Sequence, residues 1–413
     1  MRKRRLRVLK PGGKQIRAEV HLYFFDAGGQ TLHQEAMPVG QGWFEYEDDP
    51  ALDACWAFAI PKEPGYWTSC VQSFRALPEV WCAPIKVSGH SWWHQMLGTD
   101  HLANPNRGAG LRIGVIDAGF TPDESLRHVK RIDDDGGVVD EDPDFWIHGE
   151  AVCRILSDRM APISCAPMAP GAELLFASAT YSDEDLLNED FIFPLSDNLP
   201  QSHLDPVLIN NAIFDMAVSN QVDIINLSAG AVEMNEADES AIQATIALAR
   251  KHGVTIVCAA GNEPADRADF PARLDDCIGV GAFGLVDWGA RGSMPRDYSY
   301  GEENPTGTWQ GKKVFHWGES AYGEGVDTIG PGVGILIARS GKPTYDLTGT
   351  SFSAPIVCGA LAVELAADPT YLGMPRDHSR TLYAVERLKA LCKPSGMPEA
   401  LEGAGIVAPN IKS

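Results

Sequence analysis

Val222-Asp223-Ile224-Ile225-Asn226-Leu227 is followed by an amphipathic stretch from Glu239 to His252 that stops at Gly253, and then by Val254-Thr255-Ile256-Val257-Cys258-Ala259. Two short apolar runs rich in β-branched residues thus flank one segment of helical period, and a glycine closes the helix. The unit reads as strand–helix–strand. Working outward, the same alternation recurs: Leu111 to Ile116 and Ala172 to Ala177 are further buried strands, and Pro206 to Asn220 is helical. The expected fold is α/β, a parallel sheet with helices on both faces. In such sheets the chemistry lies at the carboxyl ends of the strands.

The first ninety or so residues have another texture. Ala18 to Phe25 has period two, is rich in strand formers and ends at the turn signal Asp26-Ala27-Gly28-Gly29. Gly42 to Tyr46 and Cys55 to Ile60 are similar short runs. They predict a small all-β unit of the β-sandwich type, with a tail through Trp92 and Trp93 into Gly98. The expected organisation is a β-rich domain over 1–95, a linker over 96–110 and the α/β domain over 111–413. The basic opening, with Arg2, Lys3, Arg4, Arg5, Arg7 and Lys10, reads as a disordered terminus rather than an anionic docking arm.

Lysine and arginine number 34 against 56 aspartates and glutamates, a net charge of −22. That balance argues against nucleic-acid binding as the main role. Pro11-Gly12-Gly13-Lys14 stands where a secretory signal would have its apolar run. No stretch approaches the roughly 18 apolar residues of a membrane span, so no membrane partner is expected. Nine cysteines at irregular spacing, without a Cys-x-x-Cys pair, read as buried thiols in a reducing compartment. The expected location is cytoplasmic.

Three residues suggest chemistry. Ser351, in Gly349-Thr350-Ser351-Phe352-Ser353-Ala354-Pro355, opens a helix-compatible run to Leu365. A lone serine there would be an N-cap, but small flanking residues leave room for a substrate backbone. Its hydroxyl is a weak nucleophile unless a base removes the proton and an acid orients that base. Asp117 ends the strand Ile113 to Ile116, and His148-Gly149 precedes a short helix from Glu150 to Leu156. Each alone has an ordinary structural reading; the order Asp, His, Ser makes the set more than the parts.

At these residues the chain from about Leu111 to Val407 resembles the subtilisin-like serine proteases, the subtilases. Three other segments agree: Asp223 to Gly230 resembles the substrate-binding strand and its turn, Ala259-Ala260-Gly261-Asn262-Glu263 the segment with the oxyanion-hole asparagine, and Glu402 to Val407 the closing motif. The resemblance implies that Ser351 attacks the scissile carbonyl of a protein or peptide, His148 shuttles the proton and Asp117 orients His148. It also implies that Asn262 binds the oxyanion and that substrate lies beside Ser228-Ala229-Gly230 as an added strand. Matching Phe270-Pro271 to the family's aromatic–proline pair puts Asp269 near the floor of the pocket for the residue preceding the cut, which favours arginine or lysine there. The competing assignment has Asp269 facing solvent, or paired with Arg267 or Arg273.

There are departures. Ala118 stands where the family usually has a hydroxyl residue, Glu150 where it has threonine after His-Gly, and Arg154 where a small residue is common. They leave open a catalytically impaired binding protein of the same fold, and an esterase or amidase is a third reading. Secreted relatives begin with a foldase-like propeptide; residues 1 to about 95 lack its α/β pattern and read instead as a domain that docks substrate or a partner. No cofactor is required. Calcium is a ligand that family members often bind, and Asp133-Asp134-Asp135 and Asp140-Glu141-Asp142-Pro143-Asp144 offer oxygens for it, though their spacing matches no defined loop.

Overall fold

The computed structural model describes residues 2–28, 31–72, 74–99, 106–132, 147–180, 205–228, 234–301, 304–339 and 345–408. Nine strands form the amino-terminal unit: β1 (Arg2–Lys10), β2 (Lys14–Gln15), β3 (Ala18–Phe25), β4 (Thr31–Glu35), β5 (Met37–Gly40), β6 (Trp43–Asp48), β7 (Asp53–Pro61), β8 (Ser69–Gln72) and β9 (Glu79–Trp81). One sheet runs β2-β1-β6-β5 with β9 beside β1, and the other runs β4-β3-β7-β8. Both contribute to one core, Leu6 and Val8 from β1 meeting Val20, Leu22, Ala57 and Ala59 from β3 and β7. This is the expected sandwich.

The opening residues are not the disordered terminus expected. β1 lies between β2 and β6, with Leu6 and Val8 fully buried. Its basic residues are anchored across the sheet: Lys3 and Arg5 reach Glu45 at 2.7 and 3.0 Å, and Arg4 reaches Asp48 at 2.6 Å. The basic run suggests solvation, but the alternation toward Leu6 and Val8 decides the strand.

The second sheet of the sandwich is covered on both faces. Ala57 and Ala59 face the sandwich core, while Trp56, Phe58, Cys70 and Tyr23 pack with Ala282, Tyr298, Phe315 and Val333 of the α/β unit. Polar ties reinforce the junction: Asp346 accepts from the backbone N–H of Thr68 at 2.8 Å and from its hydroxyl at 3.2 Å. The tail is also reassigned. Trp92 and Trp93, on the short helix α1 (Trp92–Met96), belong to the α/β core, and the indole N–H of Trp92 donates to the Val333 carbonyl at 3.1 Å. These large apolar rings are satisfied by the bigger core, so the chain joins that unit before the segment read as a linker.

Among the described residues the α/β unit holds a separate two-stranded pair, Ile335–Ile337 with Tyr345–Leu347, and an eleven-stranded sheet. Its spine is β10 (Arg112–Asp117), β11 (Lys130–Arg131), β12 (Glu173–Ser178), β13 (Ile224–Leu227), β14 (Thr255–Ala259) and β15 (Ile278–Leu285), in the spatial order β11-β12-β10-β13-β14-β15, all parallel. Every residue of β13 and β14 is buried, as strands covered on both faces require. Among the described residues five main helices accompany it: α2 (His148–Ser157), α3 (Pro206–Phe214), α4 (Glu236–Lys251), α5 (Thr350–Ala366) and α6 (His378–Leu391). The helix expected over 206–220 holds α geometry to Phe214 and then turns π-helical over Asp215–Ser219. α4 starts three residues before the expected Glu239 because the Asn235 side chain caps the N–H of Asp238 at 3.0 Å. Since β10 has β12 on one side and β13 on the other, chain order reverses at β10, and a crevice opens at its carboxyl end. Asp117 is the last residue of β10.

Candidate active site

Asp117 is buried at 1% exposure, and its Oδ1 stands 2.5 Å from His148 Nδ1 while also accepting the Ala118 N–H at 2.7 Å. Its Oδ2 is buried without a hydrogen-bond partner among the described residues, and the next residue, Ala118, has no side-chain hydroxyl to offer it. His148 is the first residue of α2, and the neighbouring glycine explains how it arrives there. The Gly149 N–H donates to the Ala118 carbonyl at 3.0 Å, and a Cβ at Gly149 would lie 2.5 Å from the Gly119 carbonyl. Only glycine lets the start of α2 sit this close to the end of β10.

On its other side the His148 ring is 5.5 Å, centroid to centroid, from Phe352, the residue after Ser351. Ser351 occupies the first turn of α5, itself packed on β13, β14 and β15. Pro355 has no N–H to give to the Ser351 carbonyl four residues back. The Ser228 hydroxyl makes good the loss, donating to that carbonyl at 2.8 Å while accepting from Asn226 at 2.7 Å. The Ser228 side chain is therefore used internally, fixing the Ser351 backbone. Ala229 and Gly230, its companions in the expected substrate strand, lie outside the described residues, as do both acidic clusters considered for calcium. Among the described residues no group of three or more His, Cys, Asp or Glu is arranged to hold a metal.

Asn262 reaches the same helix start. Its side-chain oxygen accepts from the Thr350 N–H at 2.9 Å and from the Thr350 hydroxyl at 2.8 Å. A backbone N–H only donates, so the atom facing it must be the oxygen, and the amide nitrogen is left as a donor. Thr350 was missed by the sequence reading as an orienting residue, although it sits inside the quoted serine motif. Asp269 is half-buried against Gly261, where any Cβ would collide with its carboxylate. It neither faces open solvent nor forms an ion pair among the described residues; Arg273 instead bridges to Glu239 and lies over the Phe270 ring. Burial, with help from Glu263, pushes the Asp269 carboxyl up to about 6, against a smaller opposing pull from Arg273.

The two departures on α2 turn out to be partners. Arg154, 2% exposed, donates to Glu150 through Nε at 3.0 Å, to Asp158 at 2.7 Å and to the Ser125 hydroxyl at 2.8 Å, and it pairs with Asp123 at 2.8 Å. Arg339 approaches Glu150 from outside at 3.3 Å. Burial still holds the Glu150 carboxyl above its ordinary range. The i,i+4 spacing was the available signal; its burial was not visible in the sequence.

Residues 108–395, well over half of the chain, match the Subtilase family. The chain belongs to that family. It is similar to the major intracellular serine protease of Bacillus subtilis (strain 168), 27% identical over 62% of this chain and 69% of that one. Subtilisin BL of Lederbergia lenta is 25% identical over 64% of this chain and 79% of its own. Among solved structures, the protease domain of PatA aligns with a TM-score of 0.51 at 20% identity, covering 74% of this chain and 94% of that domain. The prenylagaramide maturation protease PagA aligns with a TM-score of 0.50 at 21% identity, over 76% and 94%. This subtilase is a serine endopeptidase, and its sheet is the subtilisin-like fold. No helix among the described residues is long and apolar enough to cross a membrane.

Proposed function

We propose that this subtilase cleaves protein or peptide chains through an acyl-enzyme on Ser351, with His148 as general base and acid and Asp117 as its orienter. The observation that carries the assignment is the 2.5 Å Asp117–His148 contact at the end of β10, beside the start of α5. The carboxylate fixes Nδ1–H of His148, so that Nε2 is the nitrogen able to take the serine proton. The Asn262 amide and the Ser351 N–H would supply the oxyanion donors. Extended substrate would add a strand beside Ser228, Ala229 and Gly230. A fluorophosphonate probe should label the wild type at Ser351 and leave Ser351→Ala unlabelled; labelling that persists in the variant overturns the assignment.

We read the pocket before the cut as selective for arginine or lysine. The support is Asp269, half-buried beside the oxyanion segment and without an ion-pair partner among the described residues. An apolar substrate side chain would leave this carboxylate unpaired. Because burial raises its pKa to about 6, acidification protonates it early. The ratio of kcat/KM for arginine over leucine before the cut should therefore fall as pH drops through about 6. Taking the ratio cancels the titration of the triad. In Asp269→Asn the ratio should be pH-independent and lower by about tenfold, or ~1.4 kcal/mol. A wild-type ratio near one at pH 8 would reject the preference.

We place the protein in the cytoplasm. The support is the nine cysteines, all present as free thiols and seven of them buried.

A further inference from the structure

A pocket of ≈ 390 Å³ opens at the junction of the two units. From the sandwich it is walled by Tyr23, Trp56 and Phe58, and from the α/β unit by Glu319 and Tyr322. The aromatic rings are packed, Tyr23 edge-on to Phe58 at 5.5 Å and Trp56 stacked with it at 5.9 Å, so the walls are set before any ligand arrives. The Glu319 carboxylate is steadied by the Tyr298 hydroxyl, which donates to Oε1 at 3.1 Å. His316 also lines the pocket at 2% exposure, and burial pushes its pKa down to about 4. Among the described residues that line this pocket, the acidic side chain is that of Glu319.

We infer that this pocket is a second specificity site, which takes a lysine or arginine side chain of the bound peptide at a position other than the one preceding the cut. Ring faces and one carboxylate attract a cation and have little to offer an anion. A lysine or arginine stem also suits apolar walls better than a small polar ligand does. Reach is sufficient. Pro264 lines the pocket and stands two residues after Asn262, so the wall begins about 7–8 Å along the chain from the oxyanion donor. A substrate advancing about 3.4 Å per residue would come alongside within two or three residues of the scissile bond. The Tyr322 N–H donates to the Ala265 carbonyl at 2.9 Å, which ties the pocket wall to the same segment.

This inference rests on the endopeptidase assignment and not on the Asp269 preference. The test uses the full chain and a peptide whose residue before the cut is held constant. Lysine is exchanged for norleucine at each flanking position in turn, and kcat/KM is measured. One position should favour lysine by about tenfold or more in the wild type, and the ratio should fall toward one in Glu319→Gln, which keeps an acceptor for Tyr298. Tyr23→Leu, which removes one ring face, should lower it partly. Dissociation constants of the same peptides on Ser351→Ala should show the same lysine-to-norleucine ratio without turnover. A ratio near one at every flanking position, or a lysine preference unchanged in Glu319→Gln, overturns the proposal. Absence of cleavage of every peptide by the wild type would instead count against the endopeptidase assignment, while the dissociation constants on Ser351→Ala would still read the pocket.

Discussion

Ser351→Ala should lower kcat by about 10⁶-fold while leaving KM and the melting temperature close to those of the wild type. In subtilisin, a relative of this chain, loss of the nucleophile or of the histidine alone has about that effect, and removing both costs little more. The same non-additivity is expected here for Ser351→Ala with His148→Ala. The reason lies in the geometry: Asp117 holds His148 from one side, and the ring lies beside the start of α5 on the other. A serine without its base keeps its proton, and a base without its serine has no proton to take. Progress curves on a peptide ester and an amide, with protease-free blanks, would check this. A loss of only tenfold, or full additivity of the two changes, would mean that the reaction runs through other groups.

Arg154→Met should destabilise the protein by about 3–5 kcal/mol, the range for breaking a buried ion pair by removing one partner. For a unit of this size that is a fall of about 10 °C in Tm. Glu150 and Asp158 would be left as buried carboxylates with Asp123 beside them, and Arg339 would remain as a cation only at the Glu150 edge of the cluster. Adding Glu150→Gln should restore part of the loss, since one fewer charge is then stranded. The consequence for catalysis is indirect. α2 begins with His148, and Glu150 and Arg154 are its third and seventh residues, so loosening that turn should raise KM less than it lowers kcat. A thermal melt shifted by under 2 °C would show that the network is screened and carries little.

The sequence was most legible where physics acts locally. β13 and β14 are buried along their whole length and appear as mostly apolar runs, and Gly253 closes the intervening helix at a positive φ of 75°. Asp117 was legible as the end of a buried strand, where parallel sheets gather their chemistry, whereas the role of Asn262 came only from the family resemblance. Where partners are distant, the text failed. The partners of Arg4 and Arg5 are Asp48 and Glu45, some forty residues on, so a basic run concealed a central strand. Trp92 and Trp93 carried no sign of which of two cores would accept them. Thr68 and Asp346 meet across 278 residues, which no pattern reading could connect.

The double-sided sheet of the sandwich has a consequence for how the chain is made. Tyr23, Trp56 and Phe58 emerge early in synthesis, whereas the residues that cover them, Ala282 to Val333, follow more than two hundred positions later. At ~5–20 residues per second, that interval is roughly 10–40 s. Throughout it the nascent sandwich carries an uncovered aromatic face, the kind of surface that chaperones hold and that neighbouring nascent chains adhere to. The junction that shapes the pocket thus makes the birth of the protein concentration-sensitive, although the finished fold conceals the cause.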